Sequence, residues 1–354
     1  MITKWIDCLK MDPAHPERWL RDAADCLRDG GLVAFPTETV YGLGGNAYMD
    51  TAVSEIYRVK GRPQDNPLIV HLSRPEDLDQ VAMDIPEEAE KLFSVFAPGP
   101  LTLVLRRNSR IPKRVSAGLD TVAVRIPDHP IASALIRLSG VPVVAPSANL
   151  SGKPSPTRAW HVRDDMDGKI PYILEGGPCR FGVESTVLDL SGEQISILRP
   201  GAITQDMLEK VLKRHVYLPG ERRQTSAEEP PRAPGMKYRH YAPKARVKIL
   251  KESDKARLEE GLREALSQEG EIAFYLSDQT AELLRRMGGN RAYGLITFGE
   301  GAAPASAGLF DAFRRFDELG VERIYVEALS DRGEGLAYMN RLRKAAADKD
   351  RKPN

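Results

Sequence analysis

Apolar residues recur at helical spacing over residues 17–29, where Trp19, Leu20, Ala23, Ala24 and Leu27 share one stripe, and Gly30-Gly31 ends the run. The continuous apolar stretch Leu32-Val33-Ala34-Phe35 reads as a short buried strand. Asp50 is placed to cap a helix with apolar positions Ala52, Val53, Ile56 and Val59. Gly61 and Pro63 stop that helix, which leaves Lys60 and Arg62 at a helix exit. Leu68-Ile69-Val70-His71-Leu72 predicts a strand, and Ser73 with Glu76 a capping box opening the next helix. Further strands are predicted at 101–105, 122–126, 141–145, 172–174, 185–190 and 195–198. A helix is predicted at 130–139, and another, capped by Thr204, closes the domain near residue 215. Strands of mixed spacing with helices between them predict an α/β domain on a mixed, twisted sheet.

The pattern breaks from Tyr217 to Pro243, where Pro219, Pro230, Pro231, Pro234 and Pro243 fall among charged and small residues with no apolar period. The later half, residues 234–243, is dense in cations and aromatics, so we expect it to fold back over something. A regular alternation then resumes: strand 247–250, helix 255–267, strand 272–276, helix 280–287, strand 292–297, helix 306–319, strand 323–327, helix 335–347. That is a small Rossmann-like βαβ domain with a parallel sheet. The expected organisation is a first α/β domain at 1–216, a proline-rich linker or lid at 217–243, and a C-terminal α/β domain at 244–354.

Composition narrows the function classes. A chain of 354 residues exceeds the usual single domain, and 42% hydrophobic with 29% charged residues is ordinary for a globular protein. A net charge of +1 gives no global argument for nucleic-acid steering. A weak RNA contact would have to use a local run such as Arg106, Arg107, Arg110, Lys113 and Arg114, for which a solvated turn is the simpler reading. The three cysteines form no CxxC pair, which disfavours a disulfide scaffold or structural zinc and fits a reducing compartment. No apolar run has signal-peptide or membrane-spanning character, so a cytoplasmic chain with no membrane partner is expected.

Polar residues concentrate where predicted elements end. The segments are Pro36-Thr37-Glu38-Thr39-Val40-Tyr41-Gly42-Leu43, Lys60-Gly61-Arg62-Pro63, Ala145-Pro146-Ser147-Ala148-Asn149 and Leu198-Arg199-Pro200-Gly201. They suit a small zwitterion and a polyphosphate. Lys60 and Arg62 are open to a helix-terminus reading, but Asn66 and His71 lie within the same short stretch and the set would suit phosphates. In Thr121-Val122-Ala123-Val124-Arg125-Ile126, the valines and Ile126 share one face while Ala123 and Arg125 share the other. A strand arginine there needs an anion: a structural carboxylate would serve, and a substrate carboxylate held bidentately is the reading preferred here.

Ala145-Pro146-Ser147-Ala148-Asn149 follows an apolar strand, where α/β sheets place ligands, although Ser and Asn are also common in plain turns. Ser151 to Thr157 extends that polar run; Ser185 begins a strand and Arg199 ends one. Gly42-Leu43-Gly44-Gly45-Asn46-Ala47 fits the dinucleotide pattern GxGxxA, with Asp65 at a ribose-binding distance, but its polar approach argues for a tight turn instead. The chain has no Walker segment and no GxSxG elbow, and His15, His129, His161 and His215 have no metal-ligand spacing, so no metal site is assigned. Such a site would position ligands and stabilise phosphate charge rather than form a covalent intermediate.

Taken together, residues 10–215 resemble the YrdC-like domain of threonylcarbamoyl-AMP synthases. The segment Lys237-Tyr238-Arg239-His240-Tyr241-Ala242-Pro243 and the domain after it resemble the long, two-domain form of that family. The resemblance implies synthesis of threonylcarbamoyl-AMP and diphosphate from L-threonine, bicarbonate and ATP, with Mg²⁺ bound to the ATP. The product would pass to the machinery that threonylcarbamoylates tRNA next to the anticodon. By similarity, Thr39, His71, Arg125, the backbone at Ala145, and Ser185 would hold threonine. Arg62, Asn66, Thr121, Ser147, Ser155 and Arg199 would hold ATP; Lys60 and Arg62 are the catalytic candidates, and residues around His240 would cover the nucleotide and shield a hydrolysable carbamate. A carbamoyl transferase of hydrogenase maturation would use the same domain but adds acylphosphatase-like and zinc-finger segments, which this chain lacks. A non-catalytic RNA-binding module is the other alternative.

Overall fold

The computed structural model describes residues 1–221, 241–250, 255–289 and 292–347. The chain separates into two compact units. The first holds residues 1–151, 155–180 and the described part of 184–237; the second holds 152–154, 181–183 and the described chain from Tyr241 onward. No described helix is long and apolar enough to cross a membrane.

Strands of the first unit are β1 (Lys4–Asp7), β2 (Val33–Phe35), β3 (Gly42–Asn46), β4 (Ile69–His71), β5 (Ala82–Met83), β6 (Leu101–Arg107), β7 (Thr121–Arg125), β8 (Val143–Val144), β9 (Tyr172–Glu175), β10 (Thr186–Asp189) and β11 (Ser196–Arg199). Its α-helices are α1 (Glu17–Arg28), α2 (Asp50–Lys60), α3 (Glu87–Phe96), α4 (Pro130–Ser139), α5 (Ala159–Met166) and α6 (Gln205–Leu212). The strands form an eleven-stranded mixed sheet in the order β1-β9-β2-β3-β8-β4-β7-β6-β10-β11, with β5 beside β6.

Period-two alternation decides what each face of this sheet carries. Val122, Val124 and Ile126 join Leu68, Val70, Leu72, Leu101, Leu103 and Leu105 in the main core. Each such buried side chain contributes about 1.5–3 kcal/mol relative to exposure. On the opposite face, β4, β7, β6 and β10 carry a small apolar floor of Ile69, Val104, Ala123 and Val187, which leaves room beside it for polar residues. Helix α1 turns Leu20, Ala23, Ala24 and Leu27 onto a separate core with Val33, Phe35 and Leu135.

Three local readings are corrected. Asp50 is the first residue of α2 rather than its cap, since Met49 holds the cap position, and the Asp50 carboxylate instead pairs with Arg114 at 3.0 Å. The proposed capping box at Ser73 and Glu76 does not form: residues Pro75–Gln80 make a 3₁₀ turn without a side-chain cap, and Arg74 pairs with Asp77. The glycines from Gly42 to Gly45 form neither a nucleotide loop nor a tight turn, because they lie in the buried strand β3. A Cβ on Gly44 would stand 2.8 Å from Phe35 Cε1 and 2.9 Å from Val143 Cγ1, so close packing explains the glycine.

The second unit contains β12 (Arg246–Leu250), β13 (Ile272–Leu276), β14 (Gly294–Thr297) and β15 (Arg323–Glu327), with α7 (Lys255–Ser267), α8 (Asp278–Arg286), α9 (Ala302–Leu319) and α10 (Gly335–Ala346). Its sheet is parallel throughout, ordered β12-β15-β13-β14. At the carboxyl ends of β13 and β15, where such sheets usually bind ligands, the buried Glu327 carboxylate accepts from Ser277 N at 2.7 Å and Thr280 Oγ1 at 2.8 Å. The protein's own carboxylate thus fills the N-terminus of α8. Tyr241, at the end of the aromatic-basic segment, is buried and stacks on Phe310 with 5.2 Å between ring centroids.

Candidate active site

Strand register assembles the site. His71 on β4 pairs with Arg125 on β7, and Arg125 pairs with Thr102 on β6. Paired residues point to the same side of a sheet, so the three side chains form a row on the face that carries the small apolar floor. The row continues through hydrogen bonds. Thr102 Oγ1 and Ser185 Oγ are 2.7 Å apart, and Arg199 donates to Ser185 Oγ and to Ser185 O, each at 3.1 Å. Arg125 and Arg199 therefore lie at two ends of one polar line, joined by hydroxyls.

Electrostatics along this line follow from burial. His71 is buried, and desolvation first, then the Arg125 charge, lowers its pKa to about 3, so the imidazole is neutral. Arg125 Nε donates to Gly99 O at 3.3 Å. Its Nη2 lies 2.7 Å from Glu38 Oε1, and the two side chains are only 5% and 2% exposed. A protein carboxylate thus faces the arginine, the partner that the alternation left open. The pair is close enough for ion attraction, yet neither Nη2 nor either Glu38 oxygen meets hydrogen-bond geometry, and His71 Nδ1 has no partner either.

The Pro36–Leu43 segment is held rigidly beside this row. Thr37 Oγ1 donates to Val40 O at 2.6 Å, accepts from the Thr39 and Val40 amides, and lies 2.9 Å from Thr39 Oγ1. Backbone bonds from Leu43 N to Pro146 O and from Ala148 N to Tyr41 O, both 2.8 Å, zip it to the Ala145–Asn149 loop. Ala145 N donates to Ile69 O at 2.9 Å, which fixes the loop to β4.

Lys60 is buried, and its ammonium donates to Ser147 O at 2.5 Å and to Asn149 O. The helix exit therefore pins the loop that carries Ser147. Arg62 bridges Asn66 O and Pro67 O at 3.3 and 3.0 Å, just before β4. Since Ile69 pairs with Ala123, the same register brings that stretch alongside Thr121, about 13 Å along β7 from Arg125 at strand spacing. Ser155 Oγ donates to Glu184 Oε1 at 2.6 Å, and both residues are buried. Arg62, Thr121 and Ser147 are half-buried, whereas Thr39, His71, Arg125 and Ser185 are fully buried. His240 lies outside the described residues.

Sequence reasoning assigned no role to Thr102, Glu184 or Glu38. Thr102 carried a signal, as the polar residue opposite the leucines of Leu101-Thr102-Leu103-Val104-Leu105. Glu38 sits in a loop, where periodicity is silent. In the basic run, Arg106 pairs with Asp84 at 2.6 Å, Arg107 donates to Ile111 O at 2.5 Å, and Arg114 holds Asp50 and Gln64. Those bonds account for three of its cations without a nucleic acid. No group of three or more His, Cys, Asp or Glu among the described residues is arranged to hold a metal.

Residues 25–201 match the Sua5/YciO/YrdC domain family, described as "Telomere recombination", and residues 203–347 match "Threonylcarbamoyl-AMP synthase, C-terminal domain". A threonylcarbamoyl-AMP synthase of Pyrococcus abyssi is 46% identical, covering 93% of this chain and 95% of that one. One of Bacillus subtilis is also 46% identical, over 92% of each. The solved structure of P. abyssi Sua5 complexed with L-threonine superposes with a TM-score of 0.85 at 43% identity, covering 98% of both chains. The chain belongs to the threonylcarbamoyl-AMP synthase family, as an enzyme of the two-domain Sua5 type.

Proposed function

We propose that the polar line on the sheet joins L-threonine to a carbonate-derived carboxyl group and to AMP. The observation that carries this reading is the line itself: Arg125 and neutral His71 at one end, Arg199 at the other, with Ser185 touching Arg199 and Thr102. An α-amino acid carboxylate suits Arg125, with Thr39, His71, Ser185 and the Ala145 backbone around it. A triphosphate suits Arg199, Arg62, Asn66, Thr121, Ser147 and Ser155. The P. abyssi relative, solved with L-threonine, supports threonine as the amino acid.

In this reading the threonine amine, once deprotonated, attacks CO2 with loss of a further proton, or bicarbonate with loss of water, to form a carbamate. A carbamate oxygen then attacks the α-phosphorus of ATP, and diphosphate leaves. Negative charge develops on phosphate oxygens and on the leaving group, where fixed cations are most effective in a buried setting. Arg62 and Arg199 supply that charge directly. Lys60, committed to two carbonyls, contributes by holding the Ser147 loop while its charge remains close. Mg²⁺ enters with the triphosphate as part of the substrate. No protein nucleophile is required.

The product would serve threonylcarbamoylation of tRNA adenosine beside the anticodon. Free thiols at Cys8, Cys26 and Cys179 fit a reducing, cytoplasmic setting. The test is release of diphosphate from ATP with omission of each substrate. The reading requires dependence on both threonine and bicarbonate; turnover indifferent to threonine rejects it.

A further inference from the structure

Glu38 is a buried acid with an unusual shortage of partners. Buried ion pairs normally have their remaining polar atoms hydrogen-bonded, because desolvating them otherwise costs several kcal/mol per ion. Here both Glu38 oxygens, Arg125 Nη2 and the neighbouring His71 Nδ1 lack hydrogen bonds. Yet Glu38 is not loosely placed, since Thr37 locks its loop by three short-range bonds. Its charge also reaches the half-buried His129 and the buried Cys179. A carboxylate carried on a fixed loop and a strand arginine, 2.7 Å apart but misaligned, form a matched pair of opposite charges whose side chains can be re-partnered.

A zwitterionic amino acid supplies both partners at once. Its carboxylate offers Arg125 an aligned bidentate contact, and its ammonium offers Glu38 up to three donors. Resting on the threonine reading above, we propose that Glu38 is the specificity residue for the substrate's amino group: the incoming carboxylate takes its place on Arg125, and Glu38 turns to hold the nitrogen. In the free protein the same carboxylate neutralises Arg125, so a ligand with a carboxylate alone must compete with Glu38 and gains nothing in return. The site therefore selects α-amino acids over the corresponding hydroxy acids.

Titration calorimetry of the full-length protein with L-threonine and with 2,3-dihydroxybutanoate, which replaces the amine by a hydroxyl, tests this. Wild type should prefer threonine by about 100-fold, the scale of charge-assisted bonds to a buried acid. Glu38→Gln keeps the shape and removes the charge. It should weaken threonine by about 10- to 100-fold while the hydroxy acid holds or tightens, so the preference collapses. A folded Glu38→Gln variant that keeps the wild-type preference overturns the role of Glu38 and leaves the threonine reading standing. Wild-type protein that binds no threonine overturns both. Should Glu38→Gln fail to fold, a crystal structure of wild type with L-threonine decides. A Glu38 oxygen within hydrogen-bond distance of the ligand nitrogen is expected, and Glu38 still resting on Arg125 contradicts it.

Discussion

His71 and Arg125 occupy paired positions on adjacent strands, and each constrains the other's charge. Burial and the guanidinium keep His71 neutral down to about pH 3, far below its ordinary value of 6.5. The unfolded chain therefore binds a proton that the folded chain refuses throughout that window. Stability from this group is complete above about pH 6.5 and falls as the pH drops towards 3, by about 1.4 kcal/mol per unit. His71→Gln should flatten the pH profile of the unfolding free energy by about 2 kcal/mol between pH 6.5 and 4.5. Urea titrations at the two pH values measure it; parallel profiles for variant and wild type would show that His71 is not held neutral.

At the scale of elements, the site depends on how two loops are fastened to the sheet. Lys60 at the end of α2 grips the carbonyls of Ser147 and Asn149. Lys60→Met leaves one buried and one half-buried acceptor without that donor, and should lower stability by about 2–3 kcal/mol and raise the KM for ATP more than that for threonine. Denaturant melts with steady-state kinetics check this, and an unchanged ATP KM would remove the loop from the nucleotide end. Strand β3 makes the opposite kind of prediction. Gly44→Ala should overpack against Phe35 and Val143 and cost about 1–3 kcal/mol, with ATP and threonine affinity falling together if at all. A selective loss of ATP binding would restore the nucleotide-loop reading rejected above.

Over the whole molecule, the legible parts were those governed by a period. The alternation in Val122-Ala123-Val124-Arg125 placed the arginine on the correct face, and the βαβ rhythm after residue 244 matches the parallel sheet β12-β15-β13-β14. What a single residue's neighbours decide across the fold stayed hidden. Nothing local says that Glu38 meets Arg125, that Glu184 receives Ser155, or that Glu327 closes the end of its sheet. The Gly42–Gly45 run misled for the same reason, because the side chains that need the space come from Phe35, Val143 and Ile56. Motif matching joined the segments by resemblance; strand register gives the physical reason they belong to one surface.

That surface is the centre of the account, and Arg125 is its most exacting test. Calorimetric titration of L-threonine and of ATP into wild type and a folded Arg125→Gln variant measures the two ends separately. Loss of the guanidinium should weaken threonine by about 100-fold and ATP by less than about 3-fold. Equal losses for the two ligands, or an unchanged affinity for threonine, would contradict the assignment of Arg125 to the amino-acid end.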